Sequence, residues 1–106
     1  MIKNKSHKIA IKKFSSKVNS LLKNDLIDII IYGSVARGEA KTDSDIDVIV
    51  VVKRNAFKNQ MKLAELAFDI LLETGEYISV QTMKSKDLER DTIFLHNVRS
   101  DAIHAI

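Results

Sequence analysis

Apolar and polar positions follow two kinds of pattern in the first half of the chain. Residues 6–23 repeat apolar side chains at helical spacing between lysines, which predicts an amphipathic helix with Ser6 as its cap. Residues 26–32 form an almost continuous β-branched run, which predicts a buried strand ended by Gly33. Residues 45–52 predict a second strand, polar at its start and apolar afterwards. The loop between the strands has room for one helical turn at residues 34–37.

The second half of the chain predicts a long helix over residues 56–73, ended by Gly75. We expect its broad apolar face to be buried across the sheet. One stripe of this face is Phe57, Met61, Ala64, Phe68 and Leu71, and Leu63, Leu66, Ala67 and Ile70 widen it. Residues 76–83 alternate as a third strand, Ser85 is the expected cap of a short helix over 86–90, and residues 92–99 favour another helix. The order of elements predicts an α/β sandwich with helices mainly on one face of a small sheet, and the tail 102–106 is left open between strand and helix.

Composition narrows the class of protein. The 106 residues fit a single domain over 1–106, with 45% apolar and 29% charged residues. The chain has no cysteine, which excludes disulfides and thiolate metal sites. Its apolar runs are too short to span a bilayer and its basic N-terminus lacks the apolar segment of a signal peptide, so we expect a cytoplasmic protein without a membrane partner. The net charge of +3 and the 6% aromatic content do not favour nucleic acid as a partner.

Two aspartates carry the most specific chemical signal. Asp45 and Asp47 lie two residues apart on the predicted second strand, so their carboxylates face the same side of the sheet, roughly 6–7 Å apart. Two such charges repel each other unless a cation lies between them. Because carboxylates are hard ligands, the pair predicts Mg²⁺ or Mn²⁺.

Gly33-Ser34 stands where the first strand ends and the helical turn begins. Glycine lets a phosphate approach the backbone, and the N–H groups of the turn, together with the Ser34 hydroxyl, can bind phosphate oxygens. Arg37 can contact the same phosphates or pair with an aspartate. A Gly-Ser pair alone is more often an ordinary turn, but its combination with Asp45 and Asp47 between two strands is much more informative.

The segment Gly-Ser-Val-Ala-Arg-Gly-Glu-Ala, followed after three residues by Ser-Asp-Ile-Asp-Val, resembles the minimal nucleotidyltransferases of the DNA polymerase β-like superfamily. The resemblance implies a mixed sheet and transfer of a nucleoside monophosphate, AMP from ATP, to a hydroxyl. It implies phosphate contacts at Gly33 and Ser34 and metal ligands at Asp45 and Asp47, and it groups Arg37 and Ser44 with the nucleotide-binding residues. A partner protein, a HEPN-type toxin, is the implied acceptor, and a homo-oligomer is left open.

The chain departs from this superfamily at one position. Its members normally supply a third carboxylate from a later strand, and that position falls at Gln81, with Ser79 two residues earlier on the same face. Glu76, Asp69 and Glu73 are alternative acids, although solvent-facing roles are favoured for all three. The alternative function is therefore a nucleotide-binding module with impaired catalysis that acts as an antitoxin or regulatory subunit by contact.

For two further groups of residues, packing or surface roles are at least as well supported as functional ones. The three histidines, His7, His96 and His104, show no metal-binding spacing, and packing or surface roles are expected for them. Tyr77 on the polar face of the third strand could contact a base, but a packing role is equally well supported.

Overall fold

The structure is a computed structural model that describes residues 1–105. Its elements are α1 (Lys5–Leu22), β1 (Leu26–Tyr32), α2 (Gly33–Arg37), β2 (Ile46–Val52), α3 (Ala56–Thr74), β3 (Ile78–Lys84), α4 (Ile93–Asp101) and β4 (Ile103–His104). Short 3₁₀ helices at Lys23–Asp25 and Ser85–Glu89 complete the order. The predicted strands and long helices are confirmed, and the tail that the sequence left open contributes a strand. Residue 106, the end of that tail, lies outside the described residues.

The four strands form one mixed sheet in the order β3-β2-β1-β4. Strand β1 runs antiparallel to both β2 and β4, whereas β2 and β3 are parallel. The central strand β2 is apolar along almost its whole length because both of its faces are covered. The mixed α/β architecture expected from the sequence is confirmed.

Two apolar clusters cover the two faces of the sheet. Val48 and Val50 point into the larger cluster, which contains the buried sides of α1 and α3. Ile49 and Val51 point to the other face, where Val98 of α4 packs against them. Since side chains of a strand alternate between faces, Asp47 belongs to the α4 face. The two long helices thus cover one face of the sheet. The shorter helix α4 covers part of the other face, on which Asp47 lies at the polar start of β2.

Two predicted helix caps are wrong. Asn4 caps α1, because its side-chain oxygen accepts a hydrogen bond from the backbone N–H of His7 at 3.1 Å. Ser6 lies inside the helix and donates its hydroxyl to Glu76 instead. Ser85 is the first residue of its 3₁₀ helix, which follows Lys84 as the cap residue.

The predicted burial of α3 is only half right. Leu63, Ala67 and Ile70 are buried against the sheet, as expected. Four of the five residues of the predicted stripe have exposed side chains: Phe57, Met61, Ala64 and Phe68. Apolar residues surround most of this helix, so periodicity alone could not show which part of its surface meets the sheet.

No helix within residues 1–105 combines the length and the apolar character needed to cross a bilayer.

Candidate active site

The candidate site lies at the end of the sheet where β1 finishes and β2 begins. Tyr32, the last residue of β1, is paired with Asp47 of β2. Asp45 lies directly before β2 and is exposed, while Asp47 is half-buried. The charge of Asp45, two residues earlier, contributes to a raised pKa of Asp47. The sequence therefore identified two acids that the fold does bring together.

Gly33 lies directly against Asp47. The backbone of Gly33 has a φ of 78°. A Cβ added to this glycine would overlap the Asp47 carboxylate and would lie only 3.3 Å from Asp47 Cγ. The sequence assigned this glycine to the approach of a phosphate; the structure adds that it makes room for an acidic side chain. The glycine loop and the acidic pair are therefore parts of one site.

The short helix α2 is fixed to the core by two small apolar residues. Val35 and Ala36 are buried, whereas Ser34 in the first turn of α2 is only partly buried. Among residues 1–105 no side-chain hydrogen bond involves the Ser34 hydroxyl. Ser34 is thus available for a ligand, while its carbonyl accepts the N–H of Glu39 at 2.9 Å and closes the turn.

The electrostatics of the site favour a positive ligand. Burial is the main cause that raises the pKa of Asp47, the charge of Asp45 raises it further, and the charge of Arg37 lowers it. Burial also raises the pKa of the Tyr32 hydroxyl, with a smaller contribution from Asp47. An ionised Asp47 is therefore costly in the ligand-free protein, and a bound cation would relieve that cost.

Arg37 is hydrogen-bonded to two acids in this structure. Its Nη1 donates to Asp101 of α4 at 2.7 Å and its Nε donates to Glu39 at 3.0 Å. The open alternative of pairing with an aspartate is thus realised, although its partner is Asp101 and not one of the acidic pair. These contacts raise the pKa of the guanidinium. Contact of Arg37 with a triphosphate would require it to leave or share these partners.

Ser44 has a structural role in the loop before the acidic pair. Its hydroxyl accepts the backbone N–H of Lys41 at 2.9 Å, and its own N–H donates to the Lys41 carbonyl at 3.1 Å. These two bonds close the turn that delivers Asp45 to the start of β2. The grouping of Ser44 with nucleotide-binding residues remains a prediction.

The register of β3 decides which residue stands beside the acidic pair. Ser79 is paired with Asp47, whereas Gln81 is paired with Ile49, one step further from the site. Ser79 and not Gln81 is therefore the β3 side chain nearest to Asp47 on the shared face. Counting along the sequence could not find this, because pairing between parallel strands is set by their packing.

The alternative acids lie elsewhere in the fold. Glu73 pairs with Lys13 at 2.7 Å and with Lys17 at 3.2 Å on α1, which lowers its pKa. Glu76 lies 3.3 Å from the ring of His7 and is hydrogen-bonded to Ser6. Both acids interact with α1, on the sheet face opposite Asp47. Asp69 is exposed on α3, on that same side. None of the three completes the acidic pair.

The histidines agree with the roles expected for them. His7 is buried in α1, His96 is exposed, and His104 pairs with Asp28 at 2.5 Å. Within residues 1–105 no three His, Cys, Asp or Glu side chains gather as a metal cluster.

Sequence analysis missed two residues of the site. Phe94 of α4 packs edge-on against Tyr32, with ring centroids 5.6 Å apart, and Tyr32 is the strand partner of Asp47. Asp101 holds Arg37 from the end of the same helix. Neither has a sequence signal, since both are more than 40 residues away from the motif and reach it only through folding. Tyr77, which was singled out, is exposed just before β3, and its carbonyl accepts the N–H of Ile46 at 2.9 Å.

The donor set suits a hard divalent cation. Within residues 1–105 the carboxylates of Asp45 and Asp47 accept no hydrogen bond from the protein, so their lone pairs are available. Mg²⁺ is commonly held by one or two carboxylates, with substrate phosphates and waters as the other ligands. Two acids beside the turn that the sequence predicts to bind phosphate therefore fit a cation that arrives with a triphosphate.

Comparison with known proteins agrees with this geometry. The sequence model of one family, described as "Nucleotidyltransferase domain", matches residues 11–104. A candidate protein adenylyltransferase from Methanocaldococcus jannaschii is 35% identical over 69 residues, which are 58% of this chain and 70% of that protein.

Two solved structures share the fold. One is a candidate nucleotidyltransferase from Sulfolobus solfataricus, with a TM-score of 0.62 and 21% identity over 98% of this chain and 89% of that chain. The other is described as a toxin–antitoxin with AMP-PNP. Its TM-score is 0.60, with 18% identity over 88% of this chain and 70% of that chain.

Proposed function

This chain belongs to the nucleotidyltransferase domain family, and from that premise we propose that it transfers AMP from ATP to a hydroxyl of a partner protein with the help of a divalent cation. The juxtaposition of Asp45, Asp47 and Gly33 carries the proposal, because it joins a cation-binding pair to a phosphate-binding turn. Adenine as the nucleobase and a protein as the acceptor are suggested by a relative that is called a protein adenylyltransferase. A structure with the same fold that contains AMP-PNP also supports adenine.

Four residues of the site have distinct roles in this reaction. Asp45 and Asp47 hold Mg²⁺ or Mn²⁺, which neutralises the triphosphate and makes the acceptor hydroxyl more acidic. Ser34 donates its hydroxyl to a phosphate oxygen, and the N–H groups at the start of α2 add further donors. Gly33 keeps the backbone close to both the phosphates and Asp47. The acceptor oxygen attacks the α-phosphorus, the bond to the leaving pyrophosphate breaks, and the hydroxyl proton passes to solvent.

Arg37 moves between two sets of partners in this proposal. It is held by Asp101 and Glu39 in this structure, both through charge-assisted hydrogen bonds. A triphosphate offers oxygens of the same charge at the same end of the sheet. We expect Arg37 to share its guanidinium with a phosphate once nucleotide is bound.

The acceptor in this proposal is a HEPN-type toxin, so that adenylylation makes this chain an antitoxin. The support is the fold shared with a protein described as part of a toxin–antitoxin. The test incubates the chain with ATP labelled in the α-phosphate, Mg²⁺ and the protein encoded beside it. We expect the label on that protein. In Asp45→Asn plus Asp47→Asn the rate should fall by roughly a hundredfold or more, as when charge stabilisation of a transition state is lost.

A control variant separates this loss from a general effect of charge. Asp43 is exposed in the same loop, two residues before Asp45. Asp43→Asn removes one carboxylate charge from this loop, compared with two in the double variant, and should retain the wild-type rate. Label transfer that persists in the double variant would overturn the assignment of the metal ligands.

A second candidate function rests on the uncharged position beside Asp47. Ser79 occupies it, and among residues 1–105 no third acid joins the pair. On this alternative the chain binds Mg·ATP and acts as an antitoxin by contact, without turnover. Calorimetry distinguishes the two: tight binding of Mg·ATP together with no labelled product supports the binding module.

A further inference from the structure

A stripe of apolar side chains runs along the solvent side of α3. The exposed fraction is 81% for Phe57, 63% for Met61, 56% for Phe68 and 72% for Leu72, and Ala64 between them is also exposed. We call these five residues the α3 stripe. Their spacings of four, three, four and four residues place them on one side of the helix. Continuous apolar patches of this kind on soluble proteins usually mark an interaction site.

We propose that the α3 stripe is a homodimer interface, in which α3 packs antiparallel against α3 of a second copy around a two-fold axis. The spacing is symmetric about a point between positions 64 and 65. Phe57 and Leu72 are equally far from that point, and so are Met61 and Phe68. In an antiparallel pair Phe57 therefore faces Leu72 of the second copy, and Met61 faces Phe68. Ala64 at the centre is small enough to let the two helices approach closely.

The exposed area is sufficient for a dimer of modest stability. The four large side chains of the α3 stripe leave roughly 500 Å² exposed in each copy, since a large apolar side chain can bury about 150–250 Å². Two copies would then bury about 1,000 Å² from the stripe alone, which is near the lower limit for specific interfaces. The charged residues beside the stripe would add to this area.

Charge complementarity selects the antiparallel arrangement. Lys58, Lys62, Glu65 and Asp69 each follow a stripe residue, so all four lie on the same flank of the helix. The lysines occupy its first half and the acids its second half. A two-fold axis across an antiparallel pair brings this flank against itself in the reverse direction. Asp69 of the second copy then lies within two residues of the position opposite Lys58, and Glu65 within two residues of the position opposite Lys62, an offset of about 3 Å that a lysine side chain can span.

These four charges are free to make such pairs. All four are exposed, and within residues 1–105 none of them forms a salt bridge. Helix α3 covers the sheet face opposite Asp47, so a dimer through the α3 stripe leaves both candidate sites open to solvent. The proposal therefore does not depend on the activity proposed above.

Sedimentation equilibrium on the full chain tests the interface. We expect a dimer for the wild type, and we expect Phe68→Glu to weaken association by at least about tenfold, as for a central interface residue. Ile93→Glu is the matched control, because Ile93 is 84% exposed on α4 and lies outside the stripe. A monomeric wild type, or a dimer that Ile93→Glu breaks and Phe68→Glu does not, would overturn the proposal.

Charge reversal tests the orientation. Lys58→Glu plus Lys62→Glu makes the flank wholly acidic, while Glu65→Lys plus Asp69→Lys makes it wholly basic. Each double variant should dimerise at least about tenfold more weakly than the wild type, and an equimolar mixture of the two should form a heterodimer. A mixture that associates no better than the separate variants would exclude this antiparallel pairing.

A single cysteine gives an independent measurement, because the chain has none of its own. Ala64 lies next to the proposed two-fold axis, so Ala64→Cys should oxidise to a disulfide-linked dimer. Lys86→Cys, at an exposed position after β3, is the control and should stay monomeric on a non-reducing gel. Crosslinking of the control alone would contradict the interface, and so would capture of a different protein by the stripe while the chain itself stays monomeric.

Discussion

The backbone of Gly33 lies so close to Asp47 that a Cβ on the glycine would overlap the Asp47 carboxylate. Gly33 follows the first strand and Asp47 lies in the second, so this contact joins the turn that we propose as the phosphate site to the acidic pair. The site depends on it in two ways. The glycine must adopt a left-handed conformation with a φ of 78°, and it must leave room for a carboxylate.

Gly33→Ala should therefore be more harmful than the same change at Gly75. Both glycines have a positive φ, 78° and 79°, but a Cβ on Gly75 would meet no atom within 4 Å. Gly75→Ala should cost only the conformational strain of about 1–2 kcal/mol. Gly33→Ala adds overlap with Asp47 and should cost about 1–3 kcal/mol more. Urea denaturation of both variants measures the difference, and equal losses would contradict the contact.

Asp47→Asn should stabilise the ligand-free protein at neutral pH. Burial and Asp45 raise the folded-state pKa of Asp47, so its ionisation opposes folding. The cost is absent where the group is protonated in both states and grows as the pH rises through the unfolded and then the folded pKa. We expect the Tm of Asp47→Asn to exceed that of the wild type at pH 7, with a gain that disappears toward about pH 3.

The sign of this effect should reverse when ligand is present. Mg²⁺ with a non-hydrolysable ATP analogue should raise the Tm of the wild type, because it binds only the folded protein; at 100 times Kd this is worth about 2.7 kcal/mol. Asp47→Asn should show little of that increase. Thermal scans with and without ligand measure both effects, with Asp43→Asn as the control. An equal response of Asp47→Asn to ligand would show that the carboxylate does not hold the cation.

A new acid at position 79 should complete the acidic pair, whereas one at position 81 should not. Ser79 is paired with Asp47 and Gln81 with Ile49. We expect Ser79→Asp to tighten Mn²⁺ binding by roughly tenfold in the presence of an ATP analogue, because affinity for hard cations rises with the number of charged ligands. Calorimetry measures this affinity, and label transfer from ATP measures the effect on rate. A larger gain from Gln81→Asp would show that the strand register is wrong.

Asn4→Ala should destabilise the protein by about 0.5–2 kcal/mol, since the Asn4 side chain accepts the N–H of His7 and caps α1. Ser6→Ala removes only an exposed hydrogen bond to Glu76 and should change the free energy of unfolding by less than about 0.5 kcal/mol. Chemical denaturation of the two variants compares them. A greater loss from Ser6→Ala would restore the cap that the sequence predicted.

The fold could be predicted from sequence where patterns are local. The run of β-branched residues in Leu26–Tyr32 and the break at Gly75 have one simple interpretation each, and both are confirmed. The exposed part of α3 could not be predicted, because Phe57 and Leu63 are equally apolar and differ only in whether the sheet lies beside them. Hydrophobicity shows that a residue can be buried, and packing decides whether it is.

The sequence by itself determined the chemistry of the candidate site. Gly33, Ser34, Asp45 and Asp47 lie within fifteen residues, so two strands and one turn suffice to bring them together. Only the tertiary structure decided what surrounds them. Ser79 stands beside Asp47, and Asp101 holds Arg37, because β3 and α4 return to this end of the sheet from more than thirty residues away. Such long-range contacts follow from strand register and helix packing, which depend on the whole core and leave no local signal in the chain.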